Sequence, residues 1–394
     1  MHKSPLVLGT DATIFKKHEI NLFRSLAITG ANTGNIIFAE ALYNCIQGAV
    51  RWGYTFKPQD LEGRDAIVVT AANWINGSSE FTELLTMLEG TDLPVYVIGL
   101  GAQSNDKKTM PKMKPNQERL MRFFSDRAQS ISVRGVFSAE VLDHYGIKNV
   151  DVTGCPSMLL NGEGPNIKNG PHVPEKITLH GTRHHFNKGL PEQDAIYHLA
   201  FDRDYDLALQ SETAEIYFAT QRLDDAEKVA EAERALPKLY PDRPVDEVKD
   251  FLKCHGKAFF SLDEWVDYAS SRDLFVGTRI HGTIAALLGG TRALLLTHDA
   301  RTEELAESLH IPHMPLSDFR AGETDMQDLY DRSKPDTLMA KYSGYRGRFG
   351  EFLKRNSLAL VDTAKAAAAA ALVWASDALL LISEFEIIPS ALAV

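Results

Sequence analysis

The chain has 394 residues, of which 44% are hydrophobic and 24% are charged, and its formal net charge at pH 7 is −11. This length is enough for two domains with separate hydrophobic cores. The negative charge, without a run rich in lysine and arginine, argues against nucleic acid as a partner. Three scattered cysteines are too few for a disulfide framework or a zinc site, so we expect reduced thiols in a cytoplasmic protein.

The first part of the chain alternates between short apolar segments and helical patterns. Predicted strands occupy residues 24–29, 65–70, 94–99, 131–134 and 149–153. Strands that alternate with helices are typical of a parallel sheet covered by crossover helices. We therefore predict one doubly wound domain over residues 1–165. The segment at 161–174 is rich in glycine, proline and asparagine, which predicts an interdomain linker.

A second series of the same kind follows and predicts a second domain over residues 175–340. Its predicted strands cover residues 176–180, 214–220, 257–261, 274–276 and 292–297, and its predicted helices cover residues 191–209, 223–236, 282–288 and 301–310. Residues 341–394 are predicted to form a helical C-terminal segment. Its last, alanine-rich part contains Asp377, which argues against a membrane span. We expect this part to be a terminal helix that packs on a domain or on a second chain; docking on a membrane surface, or a tail that is not native, stays open as an alternative.

A turn in the second half carries the most informative residues. The segment GTRIHG at residues 277–282 lies between a buried strand and a buried helix. In open α/β sheets, ligands bind at this edge, where the helix N-terminus favours an anion. Arg279 adds a planar fork that matches a carboxylate or a phosphate, and His281 can exchange a proton near neutral pH. Together they predict a site for a small phosphorylated or carboxylated anion.

Other residues at strand ends extend this candidate site. Arg183 follows the strand at 176–180 in the same way that Arg279 follows its strand, and we predict it as the second arginine of the anion site. Asp299 and Arg301 follow the next strand along the chain. Asp299 is also placed to cap the helix after it, and the sequence favours neither role.

These segments resemble the polysaccharide pyruvyl transferase family. The resemblance rests on GTRIHG at 277–282, on the buried helix after it, and on the segment HDAR at 298–301 followed by Glu304 and Leu305. Members of that family move pyruvate from phosphoenolpyruvate onto sugar hydroxyls. The resemblance implies two Rossmann-like domains that face a cleft in the GT-B arrangement. It also implies that Arg279 and His281 face phosphoenolpyruvate.

The resemblance extends to the first half of the chain, with two departures. The loop at 30–35 is similar to the family's Asn-x-Gly-Asp element, which implies substrate contacts for Asn32 and Asn35, although Asn35 replaces the acid. From the residues alone, a plain strand-to-helix turn with a helix cap is the favoured interpretation of this loop. Arg134 is similar to the arginine of the family's Ser-x-Arg element, and a salt-bridged surface arginine is the alternative. Cys155 stands where many members have an aspartate. We interpret it as a small buried residue, because no histidine neighbours it in sequence.

The implied reaction needs a proton at C3 of phosphoenolpyruvate, attack of a sugar hydroxyl at C2, loss of phosphate and closure by a second hydroxyl. His281 is expected to move the proton, with Asp299 as the second candidate. The arginines can stabilise the phosphate, so we expect neither a cofactor nor a metal. The expected partners are phosphoenolpyruvate and a glycan acceptor, with lipid linkage, contact with the inner membrane face and homo-oligomers left open. A nucleotide-sugar glycosyltransferase of GT-B architecture and an inactive glycan-binding scaffold are the alternatives.

Overall fold

The computed structural model describes residues 1–10, 20–168, 170, 173–182 and 191–361. In the first half, a parallel sheet has the strand order β2-β1-β3-β4, and β4 continues through a bridge between Leu100 and Val133 into the parallel pair β5-β6. The strands are β1 (Pro5–Leu8), β2 (Val50–Trp52), β3 (Ala66–Thr70), β4 (Val95–Ile98), β5 (Ile131–Val133) and β6 (Val150–Val152). The helices are α1 (Leu22–Ile28), α2 (Asn35–Cys45), α3 (Thr82–Glu89), α4 (Pro115–Arg127) and α5 (Val136–His144), with 3-10 turns at Pro58–Leu61 and Pro156–Asn161.

The second half contains another parallel sheet, with the strand order β12-β11-β10-β7-β8-β9. Its strands are β7 (Ile177–His180), β8 (Asp206–Leu209), β9 (Gly256–Ala258), β10 (Leu274–Gly277), β11 (Arg292–Thr297) and β12 (His313–Pro315). Its helices are α6 (Pro191–Asp202), α7 (Thr213–Thr220), α8 (Ala226–Leu239), α9 (Val245–His255), α10 (Leu262–Ser270), α11 (Ile280–Leu288), α12 (Ala300–Leu309) and α13 (Met326–Arg332), with a 3-10 turn at Leu316–Asp318. The predicted fold class, two Rossmann-like halves in a GT-B-like arrangement, is confirmed.

The last described helix, α14 (Asp336–Arg355), returns to the first half. The hydroxyl of Tyr342 donates to the carbonyls of Met158 and Gly162, both at 3.0 Å, and the hydroxyl of Tyr345 donates to the carbonyl of Cys155 at 2.6 Å. Phe349 of this helix is fully buried, in an apolar cluster that also contains residues of both sheets. One apolar cluster therefore spans the two halves and includes α14, while a further cluster lies mainly in each half.

Three secondary-structure predictions are wrong. Residues 24–29 were expected to form a strand, but they belong largely to α1, because the side chain of Asn21 accepts from the backbone N–H of Arg24 and caps the helix. Residues 191–209 were expected to form one helix, but the last part is strand β8. Residues 214–220 were expected to form a strand and instead form α7, whose middle is buried all round. At residues 191–209 and 214–220, burial in the folded protein outweighed the secondary structure that the local sequence pattern favours.

Some predictions lie outside the described residues or stay untested. The domain boundaries and the linker at 161–174 stay predictions. Residues 362–394, with the alanine-rich run, lie outside the described residues. Within the described part of the chain, no helix combines the length and the apolar character needed to cross a membrane.

Candidate functional site

The two halves come close where α2 and α11 begin. Gly34 precedes α2 and lies against the second half: a Cβ added at Gly34 would fall 2.5 Å from Oε1 of Gln210 and 3.1 Å from Cβ of His281. The backbone N–H of Thr33 donates to the carbonyl of Gln210 at 2.9 Å. Gly34 therefore permits this close approach, because an added side chain would force Gln210 or the start of α11 to shift. These N-termini lie at the ligand-binding edge of the parallel sheets.

Arg279 is the residue before α11, and it is buried, with a 6% exposed fraction. Its Nε donates to the carbonyl of Gly181 at 3.0 Å, and its Nη2 lies 3.1 Å from Oε1 of Glu212 and also donates to Ser211 Oγ. Nη1 has no hydrogen-bond partner within the described ranges. The protein therefore fixes Nε and Nη2 of this guanidinium.

Glu212 is a functional candidate that the sequence analysis missed. Its carboxylate accepts from the backbone N–H groups of Gln210 and Ser211 at 2.7 and 2.9 Å and from the Tyr197 hydroxyl at 2.9 Å, in addition to Arg279. Burial by itself would raise the pKa of Glu212, but the charge of Arg279 and these hydrogen bonds lower it to about 2. A permanently ionised Glu212 thus orients Arg279 and balances part of its charge.

Two further buried polar residues beneath α11 were also missed. His180 ends β7, and its Nδ1 accepts from the backbone N–H of Arg279 at 3.2 Å, so its hydrogen is on Nε2. Burial, with the charge of Arg279, lowers the pKa of His180 to about 3. Nε2 of His180 and Nε2 of Gln210 are buried without a hydrogen-bond partner in the described part of the chain. A Cβ added at Gly282 would lie 3.0 Å from Nε2 of Gln210 and 3.1 Å from Nδ1 of His180. The glycine therefore lets both side chains pack directly against α11.

His281 lies in the first turn of α11 and is buried against the first half. Its ring centroid is 5.4 Å from that of Phe38, and its Nε2 is 3.7 Å from Sγ of Cys155. Burial, followed by the charges of Arg134, Arg301 and Arg279, holds the pKa of His281 well below its usual range. The imidazole is therefore neutral in the free protein at neutral pH.

Arg134 reaches the same place from the carboxyl end of β5. Only 1% of it is exposed, and it donates to the carbonyls of Gly99 and Ala71 at 2.7 and 3.2 Å and to Oδ1 of Asn73 at 3.1 Å. Its guanidinium lies 5.6 Å from the ring centre of Phe38. The alternative of a salt-bridged surface arginine does not hold, because Arg134 is a buried cation whose described hydrogen bonds all go to neutral acceptors.

Asp299 and Arg301 lie at the carboxyl end of β11. Asp299 caps α12, since its Oδ1 accepts from the Thr302 backbone N–H at 2.8 Å, and its Oδ2 is 3.2 Å from Nη2 of Arg301. Burial would raise the pKa of Asp299, but Arg301, His298 and the hydrogen bonds from Thr302 keep it below the usual range. Asp299 also lines a cavity of about 540 Å³ with residues of both halves. The carboxylate is therefore ionised and is held by Thr302 and Arg301.

The structure places the other predicted site residues as follows. Oδ1 of Asn32 accepts from the backbone N–H of Gly34 at 3.0 Å and shapes the loop before α2. Asn35 is the first residue of α2 and does not cap it; its Nδ2 donates to the carbonyl of Thr29 at 2.7 Å. Arg183 lies outside the described residues. The structure thus brings together Arg279, His281, Arg134 and Arg301, and their roles stay predictions.

The chain matches one known family over most of its length. The family model described as polysaccharide pyruvyl transferase matches residues 15–300, most of the chain. The chain belongs to the polysaccharide pyruvyl transferase family. The matched range contains the candidate site residues of both halves up to Asp299, and it ends one residue before Arg301. A comparison with curated proteins finds no significant match.

Solved structures that align with most of this pyruvyl transferase family member have low sequence identity and low TM-scores to it. UDP-N-acetylglucosamine 2-epimerase from Rickettsia bellii has 10% sequence identity and a TM-score of 0.42, over 90% of this chain and 96% of the epimerase. The UDP-GlcNAc 2-epimerase from Methanocaldococcus jannaschii has 13% identity and a TM-score of 0.40, over 86% and 99%. An uncharacterised protein from Klebsiella pneumoniae has 9% identity and a TM-score of 0.38, over 77% and 87%.

Proposed function

We propose that the protein transfers the pyruvyl group of phosphoenolpyruvate to two hydroxyls of a sugar in a polysaccharide or its lipid-linked precursor, forming a pyruvyl ketal. The observation that carries this proposal is the position of His281 among three arginines, Arg134, Arg279 and Arg301, whose charges all act on its ring. Phosphoenolpyruvate brings a carboxylate and a phosphate together. Such a donor needs more than one cation close to a group that can move a proton.

The arginines divide into two kinds by their contacts. Arg279 and Arg301 each have a carboxylate partner, Glu212 and Asp299 respectively, while the described hydrogen bonds of Arg134 go to neutral groups. Arg134 therefore has no carboxylate bonded to it, although the charge of Glu304 acts on it, and an incoming anion would stabilise this buried cation further. Nε of Arg301 is buried without a hydrogen-bond partner in the described ranges. An anion bound beside His281 would be attracted by the charges of Arg134, Arg301 and Arg279, which all act on that ring.

His281 is the proposed proton-moving group. The three arginines disfavour its charged form, and an anion bound among them would remove much of that repulsion. Donor binding would thus raise the pKa of His281 and let the ring take up a proton inside the complex. Protonation at C3 produces the cation at C2, which the first hydroxyl attacks; phosphate leaves, and the second hydroxyl closes the ketal. The proposed setting is the cytoplasm, including the inner face of the membrane.

The test is phosphate release from phosphoenolpyruvate, measured with and without sugar acceptors, including lipid-linked ones. We expect release that needs both phosphoenolpyruvate and an acceptor, and an acceptor product whose mass has increased by one pyruvyl ketal. Turnover of nucleotide-sugars without phosphate release would instead support the glycosyltransferase alternative. Glycan binding without donor binding would support the inactive scaffold.

A further inference from the structure

Cys155 lies at the centre of the contact between the two halves. It precedes the 3-10 turn Pro156–Asn161 and is fully buried. Its Sγ is 3.7 Å from Nε2 of His281 and 3.2 Å from Oγ of Ser157, and its carbonyl accepts from the Tyr345 hydroxyl at 2.6 Å. Cys155 is the small buried residue that the sequence predicts, and although no histidine neighbours it in sequence, the fold brings His281 to it from 126 positions away.

This contact distinguishes the two nitrogens of the imidazole. Nε2 faces the thiol, while Nδ1 of His281 has no hydrogen-bond partner in the part of the chain that the structure describes. We propose that Cys155 is a positioning residue that occupies Nε2 of His281, so that the ring exchanges its proton with the ligand through Nδ1. The inference rests on the proposed function and names the atom that acts in it.

A thiol suits this position for an electrostatic reason. The charged groups that face His281 are Arg134 from β5, Arg301 from α12 and Arg279 from its own turn, and all three oppose protonation of the ring. A carboxylate at Nε2 would stabilise the imidazolium and hold the ring charged before the donor arrives. A thiol is a weak, uncharged hydrogen-bonding group. It orients the ring and leaves the charge of His281 to be set by the ligand.

Three variants of the full chain test the proposal: Cys155→Ser, Cys155→Ala and Cys155→Asp. The first readout is the ring nitrogen signals of His281 in a protein labelled with ¹⁵N-histidine, followed over pH without any substrate and assigned by their loss in His281→Gln. We expect Cys155→Ser to keep the wild-type pattern, because a hydroxyl can replace the thiol. Cys155→Ala should change the Nε2 signal most. Cys155→Asp should move the titration of His281 upward by about 1–3 pH units.

Turnover supplies the second readout. In Cys155→Asp, the pH profile of kcat should shift upward with the His281 titration, and in Cys155→Ala kcat should fall while KM for phosphoenolpyruvate changes little. If Cys155 had only a structural role, its variants would have a lower folded fraction, but neither the titration of His281 nor the pH profile of kcat would shift. Circular dichroism shows which variants are folded, and only those are compared. Cys155→Ser is the conservative variant, because its hydroxyl can replace the thiol.

The outcomes separate the two proposals. Unchanged His281 signals in Cys155→Ala, or an unchanged titration in Cys155→Asp, would overturn the role of Cys155 even if the enzyme is active. Absence of phosphoenolpyruvate turnover in the wild type would overturn the proposed function. The spectra, recorded without substrate, would still decide whether Cys155 holds Nε2.

Discussion

Glu304 of α12 in the second half binds Ser138 in the first turn of α5 in the first half. The backbone N–H of Ser138 donates to Oε2 of Glu304 at 3.0 Å, and its hydroxyl donates to Oε1 at 2.7 Å. The hydroxyl in turn accepts from the backbone N–H of Ala102 at 2.8 Å. A carboxylate from one half thus satisfies a helix N-terminus of the other.

This contact makes the stability of the protein depend on pH near neutrality. Burial raises the pKa of Glu304 to about 7, although Ser138 and Arg134 act in the opposite direction. Because the folded pKa exceeds the unfolded value, stability is greatest below the unfolded pKa and is lost as the pH rises through about 7. The loss should be roughly 2–3 kcal/mol in the free energy of unfolding.

Glu304→Gln should remove this dependence, since an amide does not titrate; its oxygen can accept from the Ser138 backbone N–H, and its NH2 group can donate to the Ser138 hydroxyl, which then accepts. We expect the variant to be more stable than the wild type at pH 8 and to approach it near pH 5, by urea unfolding. Glu303→Gln is the matched control, because Glu303 is 46% exposed and pairs with Lys107 on the surface. Parallel pH curves for Glu304→Gln and the wild type would contradict the assignment.

Arg279→Lys should weaken donor binding, because lysine lacks the planar fork that Glu212 and Ser211 orient. Loss of a charged hydrogen bond to a bound anion should cost about 2–5 kcal/mol. Titration with phosphoenolpyruvate measures the change. Arg272→Lys is the control, since Arg272 forms a similar pair with Asp206 elsewhere in the second half. Unchanged affinity in Arg279→Lys would remove Arg279 from the site.

His281→Gln should lower turnover by ~10²–10⁴-fold, the usual cost of losing a general acid–base group. The glutamine amide can still reach Cys155, and the arginines still hold the anion. We therefore expect a small change in donor affinity and a melting temperature close to that of the wild type. His144→Gln, at the exposed end of α5, is the control. Near-normal turnover would mean that another group moves the proton; Asp299, ionised and bound to Arg301, would be a poor substitute.

Gly34→Ala should reduce both stability and turnover. Its added methyl group would meet Gln210 and Cβ of His281, and overpacking of this kind costs about 1–3 kcal/mol. The backbone of Gly34 is in the right-handed helical region, so the cost is steric and not conformational. Gly347→Ala in α14 is the matched control: it meets no atom within 4 Å, and alanine favours a helix. Equal melting temperatures for the two variants would show that the halves are not packed this closely at Gly34.

The sequence by itself determined the fold class and led to the candidate site. Strands β3, β4, β10 and β11 were predicted because each is a short apolar run that ends in a change of composition. The turn after β10 then placed Arg279 and His281 at the sheet edge, since parallel strands present their carboxyl ends together. These inferences need only local pattern and the general rules of parallel sheets.

Only the tertiary structure decided which side chains meet there. Glu212 and Gln210 were missed because the prediction assigned β8 to a helix and α7 to a strand. The segment that carries both residues was therefore not recognised as the carboxyl end of a strand. Cys155 and His281 are far apart in sequence, as are Ser138 and Glu304. Local sequence records neither contact, because each depends on how the two halves pack. The packing fixes the charge of His281, the orientation of Arg279 and the pKa of Glu304, since burial and long-range neighbours set these properties.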